Sequence, residues 1–347
     1  MKKYSIGFLL MSLLFVLAAC GSSGSSGSSD KPDASSGDSG GNSVNIDFSL
    51  FSSENDAFSV VFREWAERVE EETEGRITFT PYYSGQLTSL FDTLDSVKNG
   101  TVGGGLLSAG AITGQVTDVS ILEPEGVFDG EEHFKNFYNN TLDTMNDIFE
   151  EHGVHMTFWT LGSTEVLTMS PDEFLTDPKQ YKGIKIRTAG KWQAAQMEAA
   201  GAVPVTMDPG ELYLALQNKT VDSTMQTVSL AKAFKLYEVA PKLALRDVTA
   251  NAVMYVINPD VWNEISEQDQ ETIMNISKEV ALSSWRTLEE QQENDLQTMV
   301  DEGAEVHEMT EEEKAKLMKE LTSIFPDIAE SMGEKGMKLY DSIEESK

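Results

Sequence analysis

A single arginine lies within a short segment that otherwise alternates like a buried strand. The segment reads KGIKIRTAG, residues 182–190, in which Arg187 follows Ile184 and Ile186. Arginine offers a planar fork of N–H donors that matches a carboxylate with two hydrogen bonds. A guanidinium in apolar surroundings needs a partner, because an unpaired buried charge costs several kcal/mol. The pattern leaves two alternatives, namely an internal Asp or Glu and an acidic ligand from outside.

Motifs for enzymatic chemistry are weak in this chain. It contains no G-x-x-x-x-G-K segment for binding phosphate and no G-x-G-x-x-G segment after a predicted strand. His152 and His155 flank Gly153 at a predicted helix-to-strand junction, so they would not share a helix face as a zinc-binding pair does. We therefore predict no catalytic residue, no cofactor and no metal site, and we expect a protein that is not an enzyme.

Composition narrows the range of partners. The chain has 347 residues, enough for two domains and a sizeable core. Its 58 acidic residues exceed its 26 lysines and arginines, which gives a formal net charge of −32. Such a surface repels phosphate backbones, so we expect no binding to nucleic acid.

The amino-terminal segment predicts export and lipid attachment. Residues 1–19 join Lys2 and Lys3 to an apolar run that is too short for a transmembrane helix, which is typical of a signal peptide. The run ends in LAAC, which resembles a lipobox, and Cys20 is the only cysteine of the chain. We expect a lipidated Cys20 and a flexible Gly/Ser tether over residues 20–43, which would hold the protein on the extracytoplasmic face of the cell membrane. The alternative is an uncleaved anchor helix with an incidental cysteine.

Strand and helix patterns alternate along the rest of the chain, which begins near Val44. This alternation favours an α/β fold with parallel neighbouring strands. Residues 245–258, LRDVTANAVMYVIN, read as one long strand with a polar patch. Residues 259–303 have the apolar spacing of one helix of about forty residues. Such a helix is long enough to pass between two lobes.

An ordered set of segments resembles a known family. The set includes FREWAERVEEETEGRITFTPYYSGQL, YKGIKIRTAG, GAVPVTMDPGELYLALQNKTVDSTMQ and NPDVWNEISEQDQETI. In this order the segments resemble the DctP-type substrate-binding proteins of tripartite ATP-independent periplasmic (TRAP) transporters. The resemblance runs from about Val44 to the carboxy-terminal helices, and residues 182–226 are its most specific part.

The resemblance implies an architecture. It implies a two-lobed α/β fold like that of periplasmic binding proteins, of the type II-like class, with a hinge and a long helix that spans both lobes. On this basis we expect lobe I to comprise residues 44–164 and 253–292, and lobe II residues 165–252 and 293–320. Residues 321–347 would form helices that pack on lobe I.

The resemblance also implies roles for particular residues. In the family, the arginine of the KGxKIR strand binds the ligand carboxylate, and the matching position is Arg187. Gln226 stands where the family usually has an asparagine. Many members carry a second arginine in the strand matched by TEVLTMS, which this chain lacks, while Glu165 lies nearby. This departure argues against dicarboxylates and leaves room for monocarboxylates, hydroxy or keto acids, or a zwitterion whose cation meets Glu165 or Glu54.

Further ligand-binding candidates follow from the positions of loops. Open α/β sheets bind ligands beyond the carboxyl ends of their strands. Glu54 and Asn55 follow the first predicted strand, Tyr83 follows the second and Ser108 the third. Trp192 could add an aromatic wall.

The resemblance implies a transport function. The protein would capture a small organic acid and deliver it to a membrane permease made of a small and a large subunit. The alternative is a solute-binding lipoprotein of an ABC importer, which shares the anchor and the two lobes. For either function we expect a monomer.

Overall fold

The structure, a computed structural model, describes residues 43–347, so the predicted signal peptide, Cys20 and the tether up to residue 42 lie outside it. The strands are β1 Val44–Ser49, β2 Ile77–Tyr82, β3 Gly104–Ser108, β4 His155–Ser163, β5 Val166–Ser170, β6 Lys185–Thr188, β7 Val203–Thr206, β8 Ser223–Thr227, β9 Lys242–Arg246, β10 Ala250–Ile257 and β11 Glu305–Glu308. Among the described residues, no helix is long and apolar enough to cross a membrane.

Twelve α-helices accompany these strands in the described part of the chain. They are α1 Ala57–Glu72, α2 Thr93–Lys98, α3 Ala109–Ile112, α4 Glu131–Glu151, α5 Lys191–Ala199, α6 Leu212–Gln217, α7 Val228–Ala233, α8 Pro259–Glu264, α9 Glu267–Asp301, α10 Glu311–Leu321, α11 Phe325–Ser331 and α12 Glu334–Glu345. Short 3₁₀ turns cover Thr117–Leu122, Pro178–Tyr181, Pro209–Glu211, Leu236–Glu238 and Thr322–Ile324.

The strands form two sheets, one in each lobe of the fold. The first has the order β2-β1-β3-β10-β4, and the second has the order β11-β9-β5-β8-β6-β7. Both sheets are mixed, since β10 runs antiparallel to β3 and β4, and β5 runs antiparallel to β8 and β9. The expected parallel neighbours occur in part of each sheet, namely β1 with β2 and β3, β6 with β7 and β8, and β9 with β11. Each sheet has one reversed strand, β10 in the first and β5 in the second, and each of these strands directly follows a crossing from the other sheet.

Separate cores hold the two sheets. In β1, alternate residues Val44, Ile46 and Phe48 are buried, and an aromatic group of Phe48, Phe62, Trp65 and Phe79 packs between the sheet and α1. Clusters of buried aliphatic residues from the helices and strands around β5, β8 and β9 hold the second sheet. Each lobe therefore has an apolar interior of its own.

The predicted long strand over residues 245–258 is two strands in different sheets. Strand β9 ends at Arg246 in the second sheet, and β10 starts at Ala250 in the first. The polar patch is the reason for the break. Thr249 exchanges side-chain hydrogen bonds with the backbone of Phe128, and Asn251 has a left-handed φ of 47°. Residues 247–249 are thus one crossing between the lobes.

A second crossing joins β4 to β5 through Thr164 and Glu165. Gln292 of α9 fixes this crossing, since its Nε2 donates to Thr164 Oγ1 at 2.8 Å and its Oε1 accepts from the backbone N–H of Glu165 at 3.4 Å. Helix α9 itself packs against α1 and β4 of the first lobe and against α7, which follows β8 of the second. The long helix is therefore a third connection between the lobes.

The predicted forty-residue helix is divided into α8 and α9. Ile265 has extended backbone, and the side chain of Ser266 caps α9 by accepting from the N–H of Asp269 at 3.2 Å. The 35 residues of α9 span roughly 50 Å at the usual helical rise. At the carboxyl end of the chain, α12 packs on α4, and His133 Nε2 lies 2.7 Å from the carbonyl oxygen of Ile343.

Candidate ligand-binding site

Strand β6 places Arg187 in the interior of the second lobe. The strand pairs in parallel with β7 and β8, where Arg187 lies opposite Val205 and Thr224. Its side chain is 2% exposed. Nε and Nη2 both donate to the carbonyl oxygen of Met207, at 3.1 and 2.8 Å. The residue after β7 thus holds one edge of the guanidinium. The Nη1 donors make no hydrogen bond to the described residues.

No carboxylate among residues 43–347 forms an ion pair with Arg187. Burial lowers the pKa of the guanidinium to about 10, and the nearby charge of Asp208 partly opposes this shift. The Asp208 carboxylate is instead engaged with the backbone N–H of Gly210 at 2.9 Å. Arg187 therefore remains a cation at neutral pH and carries donors that suit an anion.

Gln226 lies on the neighbouring strand β8. It is two residues beyond Thr224, the partner of Arg187, so both side chains point to the same face of the sheet, roughly 7 Å apart along the strand direction. Gln226 is 5% exposed, yet its Nε2 has no hydrogen-bond partner. A buried amide donor without a partner is unfavourable, which suits a site completed by another molecule.

Arg187 and Gln226 line one cavity of about 40 Å³ between the two lobes. Its wall combines residues from β3, α1, β5, β6, β8 and β10. The lining residues are Phe51, Phe58, Leu90, Ser108, Val166, Arg187, Ala189, Gln193, Pro209, Met225, Gln226, Thr227, Leu230, Ala250 and Asn251.

The structure brings only some of the predicted residues together. Ser108 lines the cavity with Arg187 and Gln226. Glu54 and Asn55 are exposed and lie outside the lining.

Two aromatic candidates also lie outside the lining. Tyr83 is half-buried and packs on the first core. Trp192 belongs to that same core, although its indole N–H has no partner. Both therefore contribute to packing in the first lobe.

Glu165 lies in a different pocket, at the hinge. The pocket is lined by five further acidic side chains, Asp247, Glu289, Glu293, Glu308 and Glu311, together with Lys314. Burial raises the pKa of Glu165, and the charges of Asp247, Glu308, Glu289 and Glu293 raise it further. Glu165 therefore does not face Arg187 across the cavity.

Sequence reasoning missed Asn251 and Gln193. Asn251 Oδ1 accepts from Ser108 Oγ at 3.2 Å and from the N–H of Gly110 at 3.1 Å, which ties β10 to the start of α3. Gln193 Oε1 accepts from the N–H of Ala189 at 2.9 Å. Gln193 could have been predicted from its position in the first turn of α5, the helix that follows the strand of Arg187. No local sequence pattern marks Asn251 as a site residue, because its partners are more than a hundred residues away along the chain.

Glu123 joins the lobes beside the cavity. Its Oε1 accepts from the N–H groups of Trp192 and Gln193, at 2.7 and 2.9 Å, at the start of α5. Its Oε2 accepts from Thr113 Oγ1 at 2.8 Å. Burial raises the pKa of this carboxyl to about 7, although these hydrogen bonds oppose the shift. A carboxylate from the first lobe thus caps the helix that follows Arg187.

A second arginine, Arg246, has its own internal partner. Its Nε and Nη2 donate to the two carboxylate oxygens of Glu125 at 2.7 and 2.6 Å, and both side chains are completely buried. Its Nη1 donates to Thr168 Oγ1. Arg246 does not line the cavity. This guanidinium is part of the structural frame, in contrast to Arg187.

Two glycines bring the lobes into backbone contact. A Cβ atom added to Gly190 would lie 2.0 Å from the carbonyl oxygen of Gly110. Gly190 has extended backbone with a φ of −161°, so the absence of a side chain serves close approach and not backbone strain. The lobes can therefore meet as they do only with glycine at position 190.

The fold and the site define a class of protein, in which two lobes flank a cavity whose lining includes a buried guanidinium. A family model described as Bacterial extracellular solute-binding protein, family 7 (DctP) matches residues 48–332. The chain belongs to this family and is a solute-binding protein of the TRAP type. The resemblance noted in the sequence is thereby confirmed, and nothing in the comparisons favours the ABC alternative.

Individual relatives are distant in sequence but close in fold. The 2,3-diketo-L-gulonate-binding periplasmic protein YiaO of Escherichia coli is 21% identical over 265 residues, which cover 76% of this chain and 80% of that protein. The C4-dicarboxylate-binding periplasmic protein DctP of Rhodobacter capsulatus is 30% identical over 180 residues, 51% of this chain and 53% of that protein. A TRAP periplasmic solute-binding protein from Desulfovibrio salexigens with bound orotic acid gives a TM-score of 0.81 at 21% identity, covering 87% of this chain and 98% of that one.

Proposed function

We propose that this protein captures a small organic acid in the cavity between its lobes and delivers it to the membrane subunits of a TRAP transporter. Arg187 would form two hydrogen bonds with the ligand carboxylate, and Gln226 would bind a neighbouring polar atom. The observation that carries the proposal is a buried guanidinium without a carboxylate partner among the described residues. The attraction between this charge and an incoming anion is strong, because the surrounding protein excludes water and lowers the local dielectric constant.

The comparisons support an acidic ligand. The relatives named above bind 2,3-diketo-L-gulonate or C4-dicarboxylates, and the similar structure holds orotic acid. All three are organic acids. A guanidinium that binds a carboxylate is therefore consistent with each of them.

Capture would proceed by movement about the hinge. The candidate hinge residues are 164–165 and 247–249, where the chain crosses between the sheets, with α9 as the third connection. A ligand that contacts both lobes favours the arrangement in which they meet. The contacts of Glu123 with α5 would form in that arrangement and would help to hold the lobes together.

A thermal-shift screen of carboxylates tests this function. A ligand present at 100 times its Kd stabilises the folded state by about 2.7 kcal/mol, which raises Tm by several degrees. We expect at least one small carboxylate to do so, and its primary amide, which lacks the charge, to have no effect. A chain that no carboxylate stabilises would contradict the proposed function.

We further propose that Cys20 carries a lipid that anchors a monomeric protein to the membrane, although this residue lies outside the described residues. The support is the sequence LAAC after a short apolar run. An anchored carrier would be concentrated near its permease.

Replacing Cys20 with serine is expected to move the protein from the membrane fraction to the soluble extracytoplasmic fraction, because no acyl chain can then be attached. Immunoblots of the two fractions would measure this change. Ser23→Ala in the same segment is the matched control and should leave the protein in the membrane fraction. If Cys20→Ser also stayed there, the lipid anchor would be refuted.

A further inference from the structure

The cavity carries one charged side chain and is otherwise mainly hydrocarbon. Arg187 is the only ionisable residue among the lining residues, and nine of the others are apolar. Phe51, Phe58 and Leu90 come from the first lobe, and Met225 and Leu230 are among those from the second. A ligand whose carboxylate binds Arg187 would therefore place the rest of its body against apolar walls.

Four of the five uncharged polar residues in the lining have one side-chain oxygen that is already engaged within the protein. Ser108 Oγ donates to Asn251 Oδ1, and that oxygen also accepts from the N–H of Gly110. Gln193 Oε1 accepts from Ala189, and Thr227 Oγ1 accepts from the N–H of Leu230 at 3.3 Å. The buried polar atom that lacks a partner in this lining is Gln226 Nε2, which is a donor.

Within residues 43–347, no acidic side chain lines the cavity to meet a cationic group on the ligand. Glu165 belongs to the hinge pocket, Glu54 is exposed, and Glu123 and Glu125 are engaged by α5 and Arg246. An ammonium group in the cavity would be buried without a counter-ion and close to Arg187. Both effects are unfavourable by several kcal/mol.

In the described part of the chain, the cavity lining has no second cation that could meet a second carboxylate. The other buried guanidinium, Arg246, is neutralised by Glu125, and Lys232 is paired with Asp295 at 3.1 Å. A second carboxylate would thus lie against aromatic and aliphatic side chains. The charges around the cavity therefore disfavour tight binding of both zwitterions and dicarboxylates.

From this lining we infer that the preferred ligand is a compact monocarboxylate with a hydrocarbon body and one hydrogen-bond acceptor beside the carboxylate, as in 2-oxo acids. The carboxylate would bind Arg187, and the 2-oxo group would accept from Gln226 Nε2, which lies on the same face of the sheet. The inference rests on the proposed function and narrows its ligand class.

Three ligands of similar size separate the alternatives. They are 4-methyl-2-oxopentanoate, leucine, which has an ammonium group in place of the oxo group, and 2-oxoglutarate, which has a carboxylate in place of the branched end. Isothermal titration of the purified full-length chain should give a Kd for 4-methyl-2-oxopentanoate at least about 100-fold lower than for the other two, in keeping with an unpaired buried charge.

The outcomes distinguish this inference from the proposed function. If 2-oxoglutarate or leucine binds as tightly as 4-methyl-2-oxopentanoate, or if a dicarboxylate or sugar acid binds more tightly, the ligand class is wrong while capture of an acid stands. If no carboxylate of any kind binds, both the inference and the proposed function fail.

The role of Gln226 has its own test. The wild-type chain should prefer 4-methyl-2-oxopentanoate over 4-methylpentanoate, which lacks the oxo group, by roughly 3- to 10-fold, the usual value of one hydrogen bond. In Gln226→Leu this preference should disappear, while 4-methylpentanoate should bind at least as well as before. An unchanged preference in the variant would overturn the assignment of the acceptor to Gln226.

Discussion

Replacing Arg187 with lysine is expected to weaken ligand binding by about 100-fold while the protein still folds. The guanidinium presents two parallel donors to a carboxylate, whereas the ammonium group of lysine is a point charge on a flexible stem. The strand, its apolar neighbours and the acceptor at Met207 would all remain in place. The loss should therefore appear in affinity and not in the Tm of the unliganded protein.

Calorimetry with the best carboxylate from the screen measures this effect. Arg286→Lys, at an exposed arginine of α9, is the matched control and should leave both Kd and Tm unchanged. Near-wild-type affinity in Arg187→Lys would remove Arg187 from its role as the anchor of the ligand. A large fall in Tm without ligand would instead identify Arg187 as a structural residue.

Replacing Glu125 with glutamine is expected to lower the free energy of unfolding by about 3–5 kcal/mol, because it leaves the buried charge of Arg246 uncompensated. Both side chains are completely buried, and the carboxylate accepts two hydrogen bonds from the guanidinium. Glu125 raises the pKa of Arg246 above its usual range in the wild-type protein. In the variant that effect is lost, but an arginine guanidinium remains protonated in a protein, so its charge stays in the core. Urea denaturation followed by circular dichroism would measure the loss.

A second substitution provides the control for this pair. Glu125→Gln combined with Arg246→Met removes both charges and should recover most of the lost stability. The exposed pair of Lys135 and Glu131 offers a further comparison, since Glu131→Gln should cost less than about 1 kcal/mol. A double variant no more stable than Glu125→Gln would show that the ion pair does not account for the loss.

The sequence predicted the individual helices and strands better than it predicted which strands pair with each other. The apolar spacing of residues 259–303 and the alternation around Arg187 identified a long helix and a strand correctly, because both patterns are local. Residues 245–258 were assigned to one strand because local patterning does not indicate which sheet a residue joins. The interruption between β9 and β10 depends on the hydrogen bond between Thr249 and Phe128, which lie far apart along the chain.

In the candidate site, too, local patterns were predictive and contacts between distant residues were not. Arg187 could be singled out because an arginine is unusual among alternating apolar residues. Glu165 was proposed from its position near the strand, yet it lies in the hinge pocket, since the chain crosses between the lobes at that residue. The partnership of Arg246 with Glu125 spans 121 residues, and no local pattern announces such a pair.

The backbone contact between Gly110 and Gly190 lies outside the cavity wall, so it can affect how tightly ligands bind without affecting which ligand is preferred. A methyl group at position 190 would raise the energy of the shut form without touching a bound acid. Such a change would shorten the residence time of every acid by a similar factor and leave the ranking of ligands as it was. A substitution at this one position, outside the cavity wall, would thus weaken the binding of all ligands together.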